Sequence, residues 1–299
     1  MRVSYGPGYF VPLPPGHAFP MSKFPALYKI LIDEDLIRER DVVNPNPASW
    51  PDLRLVHSQT YLYKLVSGSQ SQTERRKMGL PWTQFLVRRS RMAVQGTINA
   101  VRMALEDGIA ASLAGGTHHA FPSHAEGFCV LNDVGVAIRV LKRDELIKRA
   151  LVIDLDVHQG NGVAAIFADD PDVYTFSMHG ARNYPWYKVP SSRDVALEDG
   201  TEDSHYLSVL GDHLAAVFEA ARPDLVLYLA GVDVVRGDRF GRLALTPEGL
   251  YARDRYVLET VKRYGVPVTL LLSGGYAATA YETADLHAQA HRAAQDVFE

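Results

Sequence analysis

The apolar positions of this chain fall into short unbroken runs, and each run ends in a cluster of polar residues or glycines. Ile109–Ala114 leads into Gly115-Gly-Thr-His-His119, and Leu151–Leu155 into Asp156-Val-His-Gln-Gly160. Val173–Phe176 leads into Ser177-Met-His179, Leu225–Ala230 into Gly231-Val-Asp233, and Val268–Leu272 into Ser273-Gly-Gly-Tyr276. Runs this short and this apolar predict strands covered on both faces. Between them apolar residues recur at helical spacing, which predicts helices over 85–106, 133–148, 203–221, 247–263 and 278–297. Thr246, Pro247 and Gly265 supply an N-cap, a first-turn proline and a C-terminal stop for one of them. Strand alternating with helix implies right-handed crossovers and a parallel sheet, with ligands outside the carboxyl ends of the strands.

The N-terminal third is less regular. Residues 1–20 carry five prolines, too many for a helix, and predict a short strand or arm and then an ordered loop containing His17. Phe24, Leu27, Ile30, Leu31 and Ile37 predict a helix over 21–40, stopped by Asn44-Pro-Asn-Pro47. A short helix is expected over 57–66, ending at Gly68, and a polar, then basic surface loop over 67–83. The fold expected is a single α/β domain over 1–299, with a central, mainly parallel β-sheet flanked by helices.

Composition narrows the function. The net charge of −4 lacks the basic excess of a general nucleic-acid binder. No run reaches the roughly 20 apolar residues of a membrane span, and the opening segment does not read as a signal peptide. One cysteine, Cys129, excludes an internal disulfide and favours a reducing, cytoplasmic setting. Oligomeric state is left open.

The candidate chemistry lies at the run ends. Asp154, Asp156 and His158 alternate, so on an extended backbone they share a face. Asp156, His158 and Asp233 would give three protein ligands with open positions, the layout of a catalytic metal site. One nitrogen and two carboxylates suit zinc, and leave ferrous iron, manganese and cobalt open. Taken alone, the same triplet also reads as a helix cap and a loop histidine. His118 and His119 would not bind one ion together, because neighbouring side chains diverge on extended backbone; they suit acid–base work, with Asp154 and Asn161 available as partners. A carboxylate partner raises a histidine's pKa more than an amide does, so the two imidazoles are expected to differ. Tyr276, brought over the strand ends by a Gly-Gly turn, could donate to an oxyanion. Gly127, Phe128 and Tyr184 are placed to line a narrow apolar channel. The 74–89 segment is net basic, and would disfavour cationic substrates if it rims the pocket.

With these residues assembled, the chain resembles the arginase-fold histone deacetylase superfamily. The stretches GGTHHAF, EGFCVLNDVGVA, VIDLDVHQGNG, GVDVVRGD and LSGGY match its motifs in order and spacing, and GHAFPMSKF and LVHSQTYL match its N-terminal region. HQGNG, GTEDSHYL, GDRFGRLALTPEGL and SGGY look most like the class IV branch and its bacterial relatives. The resemblance implies a metal-dependent amidohydrolase acting on acylated amines, typically N6-acyl-lysine, without further domains. It carries Asp156, His158 and Asp233 over as zinc ligands, with Fe2+ as the other candidate. His118 and His119 carry over as the catalytic pair, His119 as general base, and Tyr276 as the transition-state phenol. Phe128, Tyr184, Gly127 and Gly275 fall on the substrate tunnel. Asp154 falls on the residue that orients the first histidine and, with Ser177, on a structural K+ or Na+ site. Asn161 stands where class I members have an aspartate, a change shared by classes II and IV. The class IV likeness implies longer fatty acyl groups as substrates.

Three other readings remain. An acetylpolyamine deacetylase would want acidic groups at the rim. A two-metal ureohydrolase would need a carboxylate two residues past His158, where this chain has Gly160. A catalytically dead acyl-amine binder would have no need for both histidines and Tyr276.

Overall fold

The computed structural model describes residues 1–298. Eight strands form one sheet: β1 (Arg2–Ser4), β2 (Val42–Val43), β3 (Ile109–Ser112), β4 (Ala150–Asp154), β5 (Val173–Gly180), β6 (Arg193–Leu197), β7 (Leu225–Leu229) and β8 (Val268–Leu271). Their order is β2-β1-β3-β8-β7-β4-β5-β6, and every pairing is parallel. The helices are α1 (Lys23–Asp33), α2 (Trp50–Leu53), α3 (Gln59–Ser67), α4 (Gln72–Met78), α5 (Gln84–Asp107), α6 (Asp133–Arg143), α7 (Asn161–Phe167), α8 (Asp203–Ala221), α9 (Pro247–Tyr264) and α10 (Ala280–Phe298). None is long and apolar enough to cross a membrane.

The strands divide their side chains between two cores, as the two-residue strand period requires. Leu151 and Ile153 of β4, with Val226 and Tyr228 of β7, join the core under α1, α8, α9 and α10. Ala150 and Val152, with Leu225, Leu227 and Leu229, join the core under α3, α5, α6 and α7. A sheet covered on both faces leaves only the strand ends open to chemistry.

The five expected strands and most of the long helices form where the hydrophobic pattern places them, but the helix expected over 133–148 stops at Arg143, because Glu145 turns left-handed (φ 57°) and Leu146 donates back to Leu141. Thr83 caps α5 by accepting from the Leu86 N–H, and Gly108 ends it at φ 85°. The other differences lie in the N-terminal third and in short elements. The helix expected over 21–40 stops at Asp33, because Asp35 turns left-handed (φ 56°) and Leu36 and Ile37 donate back to Leu31. The 67–83 loop contains α4, closed by a reciprocal Ser71–Glu74 capping box. Helix α7 starts immediately after Gly160, where glycines hide it from a propensity argument. Strand β6 is a polar edge strand whose charges suit a sheet margin rather than an apolar run.

A buried ion pair fastens the strand ends. Arg253 of α9 is fully buried and donates to the carbonyls of Leu155 (3.1 Å) and Gly231 (2.7 Å), just past β4 and β7. It also holds Asp254 at 2.8 Å, and the Tyr228 hydroxyl donates to the same carboxylate. Breaking such a pair strands a charge. Arg253→Met is expected to lower unfolding free energy by about 3–5 kcal/mol in urea titration, and adding Asp254→Leu to recover most of it.

Candidate active site

Asp156 and Asp233 follow neighbouring strands, β4 and β7, so their carboxylates converge. With His158 they offer ligand atoms within 4.8 Å of one another, all three residues buried. The His158 Nδ1–H sits between them, 3.0 Å from Asp156 Oδ1 and 3.1 Å from Asp233 Oδ2. Backbone amides complete the cradle: Gly274 N–H donates to Asp156 (2.6 Å) and Val157 N–H to Asp233 (2.9 Å). Residue 274 must be glycine, since a Cβ there would lie 2.1 Å from Asp233 Oδ2. Burial and the facing Asp156 carboxylate push Asp233 upward. Burial opposes a charged His158, but Asp156 and Asp233 outweigh it and raise its pKa to about 10. One nitrogen and two carboxylate oxygens thus converge on one point, a donor set that fits a divalent cation.

The tandem histidines do not diverge as extended backbone would require. Gly116 (φ 97°) precedes a turn, and the two rings come to 4.0 Å centroid to centroid. Their partners differ. His118 Nδ1–H donates to Asp154 at 2.7 Å, and His119 Nδ1 meets Asn161 Oδ1 at 2.7 Å. The amide's orientation is set by its other contacts, because Gly162 N–H donates to Oδ1 and Nδ2 donates to Glu126. His119 therefore carries its proton on Nδ1 and keeps a lone pair on Nε2. Burial, then His118 and His158, hold His119 well below its ordinary value. Burial also works against charge on His118, but Asp154 and Asp156 prevail and raise it to about 9.

Tyr276 is held by its backbone, whose N–H donates to Asp238 at 2.7 Å. Burial, with Asp233 and Asp156 nearby, keeps its phenol protonated far above its usual range. Tyr276 and Phe128 (5.9 Å between rings) join His119, Gly127 and His158 in a constriction. Outside lies a cavity of ≈ 570 Å³, and inside a chamber of ≈ 40 Å³. Tyr184 stands edge-on to His119 at 5.1 Å.

Against known proteins, residues 17–291 match the histone deacetylase domain. The chain belongs to the histone deacetylase family. It is 34% identical to histone deacetylase 2 of Arabidopsis thaliana over 270 residues, covering 87% of this chain and 70% of that protein. An uncharacterized protein of Picosynechococcus sp. is 44% identical over 296 residues, 99% of each chain. The crystal structure of the HDA15 HD domain superposes with a TM-score of 0.79 at 22% identity, covering 99% of this chain and 90% of that one. The arginase-like α/β architecture of the histone deacetylases is thus present here.

Within this deacetylase fold, the expected ligands, histidines and Tyr276 gather at one place. Asp154 and Ser177 lie side by side in register on β4 and β5. Gly275 is not among the residues lining the chamber or the outer cavity, and a Cβ on it would meet Val232, Thr283 and His287. The basic 74–89 segment does reach the rim, through Arg76 and Lys77. Several contributors went unread in the sequence. Glu126 joins Asn161, Tyr184 and Lys77. Asp133 binds the Gly116 and Thr117 amides, and buried Lys23 donates to the Ser273 carbonyl at 3.1 Å. The motif stretches contain all three, but nothing in their spacing marks them as partners. Cys129, in the chamber wall, is buried, and burial pushes its thiol pKa strongly upward.

His57 anchors the histidine loop. Its Nδ1–H donates to Phe121 O (3.1 Å), and its Nε2 accepts from Asn132 N–H (3.0 Å). Asn132 caps α6 and donates to Ala120 O. Burial lowers the His57 pKa to about 4, so the folded chain holds it neutral. The unfolded chain binds that proton near pH 6.5, so stability is complete above that value and falls as pH drops toward about 4. His57's share of the loss by about pH 5 is about 2 kcal/mol. Urea unfolding of wild type and His57→Gln across this range should show the variant with the shallower slope.

Proposed function

We propose that this chain is a metal-dependent hydrolase that cleaves the amide of an acylated amine, N6-acyl-lysine being the typical substrate. The observation that carries this reading is one constriction holding an Asp–His–Asp trio, an unequal histidine pair and a protonated phenol. Asp156, His158 and Asp233 would hold the cation, zinc or ferrous iron by donor type. When bound, that cation supplies Lewis acidity to the amide carbonyl and acidifies water.

The chain's own groups account for the proton transfers. His119 Nε2, neutral and unprotonated, takes the proton of the attacking water. Tyr276 donates to the tetrahedral oxyanion as charge develops. Positively charged His118, oriented by Asp154, favours that anion, and a histidine delivers the proton to the leaving amine. The products are a carboxylate and a free amine. Asp154 and Ser177 would serve a structural K+ or Na+. The catalytic domain is taken as 1–299, of which Glu299 lies outside the described residues.

Acyl length follows from the inner chamber. At ≈ 40 Å³ against ≈ 570 Å³ for the outer cavity, the chamber suits a short acyl tail better than a fatty one. Short acyl groups are therefore the proposed substrates, against the longer chains implied by the class IV likeness. Two rival readings lose support here. A Cβ at Gly160 would lie 2.3 Å from Asp154 Oδ2, which leaves no room for the bridging carboxylate of a two-metal ureohydrolase. The rim carries arginines rather than the acidic groups a polyamine would need.

Chelation should abolish release of fluorophore from an acyl-lysine peptide, and zinc should restore it. Tyr276→Phe should cut kcat by about 10²–10³-fold while metal content stays unchanged; retained turnover would remove the phenol from the mechanism. Acetyl-, butyryl- and myristoyl-lysine peptides assayed side by side should rank in that order, and a myristoyl preference would refute the short-chamber argument.

A further inference from the structure

Arg76, Lys77, Arg182 and Arg242 line the outer cavity, and among the described residues no carboxylate does. Two carboxylates lie behind them. Glu126 takes Lys77 at 2.5 Å and is itself committed to Tyr184 and Asn161. Asp199 is shared by Arg182 and Arg242, each at 3.3 Å. Four cations against two carboxylates leave two positive charges, one of them on the exposed Arg76. The Arg182 and Arg242 side chains are 65% and 51% exposed, so their remaining N–H groups face solvent. Asp238 lies below the rim, and the exposed Arg239 next to it in sequence matches its charge. Its oxygens are occupied by the backbone N–H groups of Tyr276, Phe240 and Gly241. The patch therefore runs against the chain's net charge of −4.

The same rim exposes Trp186 at 74%. A cavity of ≈ 570 Å³ edged by a bare indole is larger than one lysine arm needs. Residues on either side of that lysine would have a surface to lie on, and arginine forks favour carboxylates there.

Building on the deacylase reading above, we propose that the substrate is an acyl-lysine set in an acidic peptide segment. The acylated arm passes Phe128 and Tyr276, and flanking aspartates or glutamates meet Arg76, Arg182 and Arg242. A lysine-rich segment is repelled at the same rim.

The test uses labelled peptides that share one short-acyl lysine and differ only in their flanks: glutamate, alanine or lysine. Turnover is measured on the zinc-loaded chain, and binding by fluorescence anisotropy on zinc-loaded Tyr276→Phe. Glutamate flanks should exceed lysine flanks by about tenfold in kcat/KM at low salt, mainly through KM. The ratio should shrink at about 0.5 M salt, and Arg76→Glu combined with Arg242→Glu should bring it to about unity or reverse it. Equal values for the three peptides, a preference for lysine flanks, or a preference unchanged in the double variant would overturn the proposal. If no peptide is turned over, the deacylase reading fails, while the anisotropy order still decides the charge preference. If none of the peptides binds, both readings fall.

Discussion

Two carboxylates converge at the dry end of adjacent strands, and the rest of the site answers that fact. Asp156 and Asp233 are fully buried with ligand oxygens within 4.8 Å of each other, and like charges at that range repel by roughly 3 kcal/mol even at an effective dielectric near 20. Gly274 and Val157 turn backbone N–H groups toward them, and His158 is wedged between them. Behind the strands, Arg253 grips the carbonyls that precede both residues. A site that concentrates negative charge in this way is prepared for a small cation before any substrate arrives.

The histidine pair shows how one amide changes the division of labour. Asp154 and Asn161 stand in equivalent positions behind His118 and His119, yet one partner is anionic and the other neutral. Charge collects on His118, and His119 keeps an available lone pair. Glu126 contributes at one remove, fixing the orientation of the Asn161 amide. It is held well below the usual carboxylate range by His124, Lys77 and Tyr184 despite its burial.

Much of this was legible in the sequence. Five apolar runs, each ending in polar residues, predict a parallel sheet with its chemistry on one edge, and Asp156, His158, Asp233, His118, His119 and Tyr276 all meet there. What was not legible follows from how information is stored in a chain. Short elements leave little periodicity to read: α4 rests on its capping box, and α7 follows directly from the turn at Gly160. The convergence of the two histidine rings depends on the turn after Gly116, and spacing alone suggested divergence. Asp133, Glu126 and Lys23 act through contacts far apart in sequence, so no local pattern marks them. The size of the inner chamber depends on how Phe24, Arg89 and the 115–117 backbone pack together.

The single cysteine belongs to this same site. Cys129 lies buried in the chamber wall, and burial pushes its thiol pKa strongly upward. Electrophiles and peroxides attack the thiolate rather than the thiol. Burial that disfavours the thiolate at this position therefore slows formation of sulfenic acid or mixed disulfides beside the hydrolytic centre.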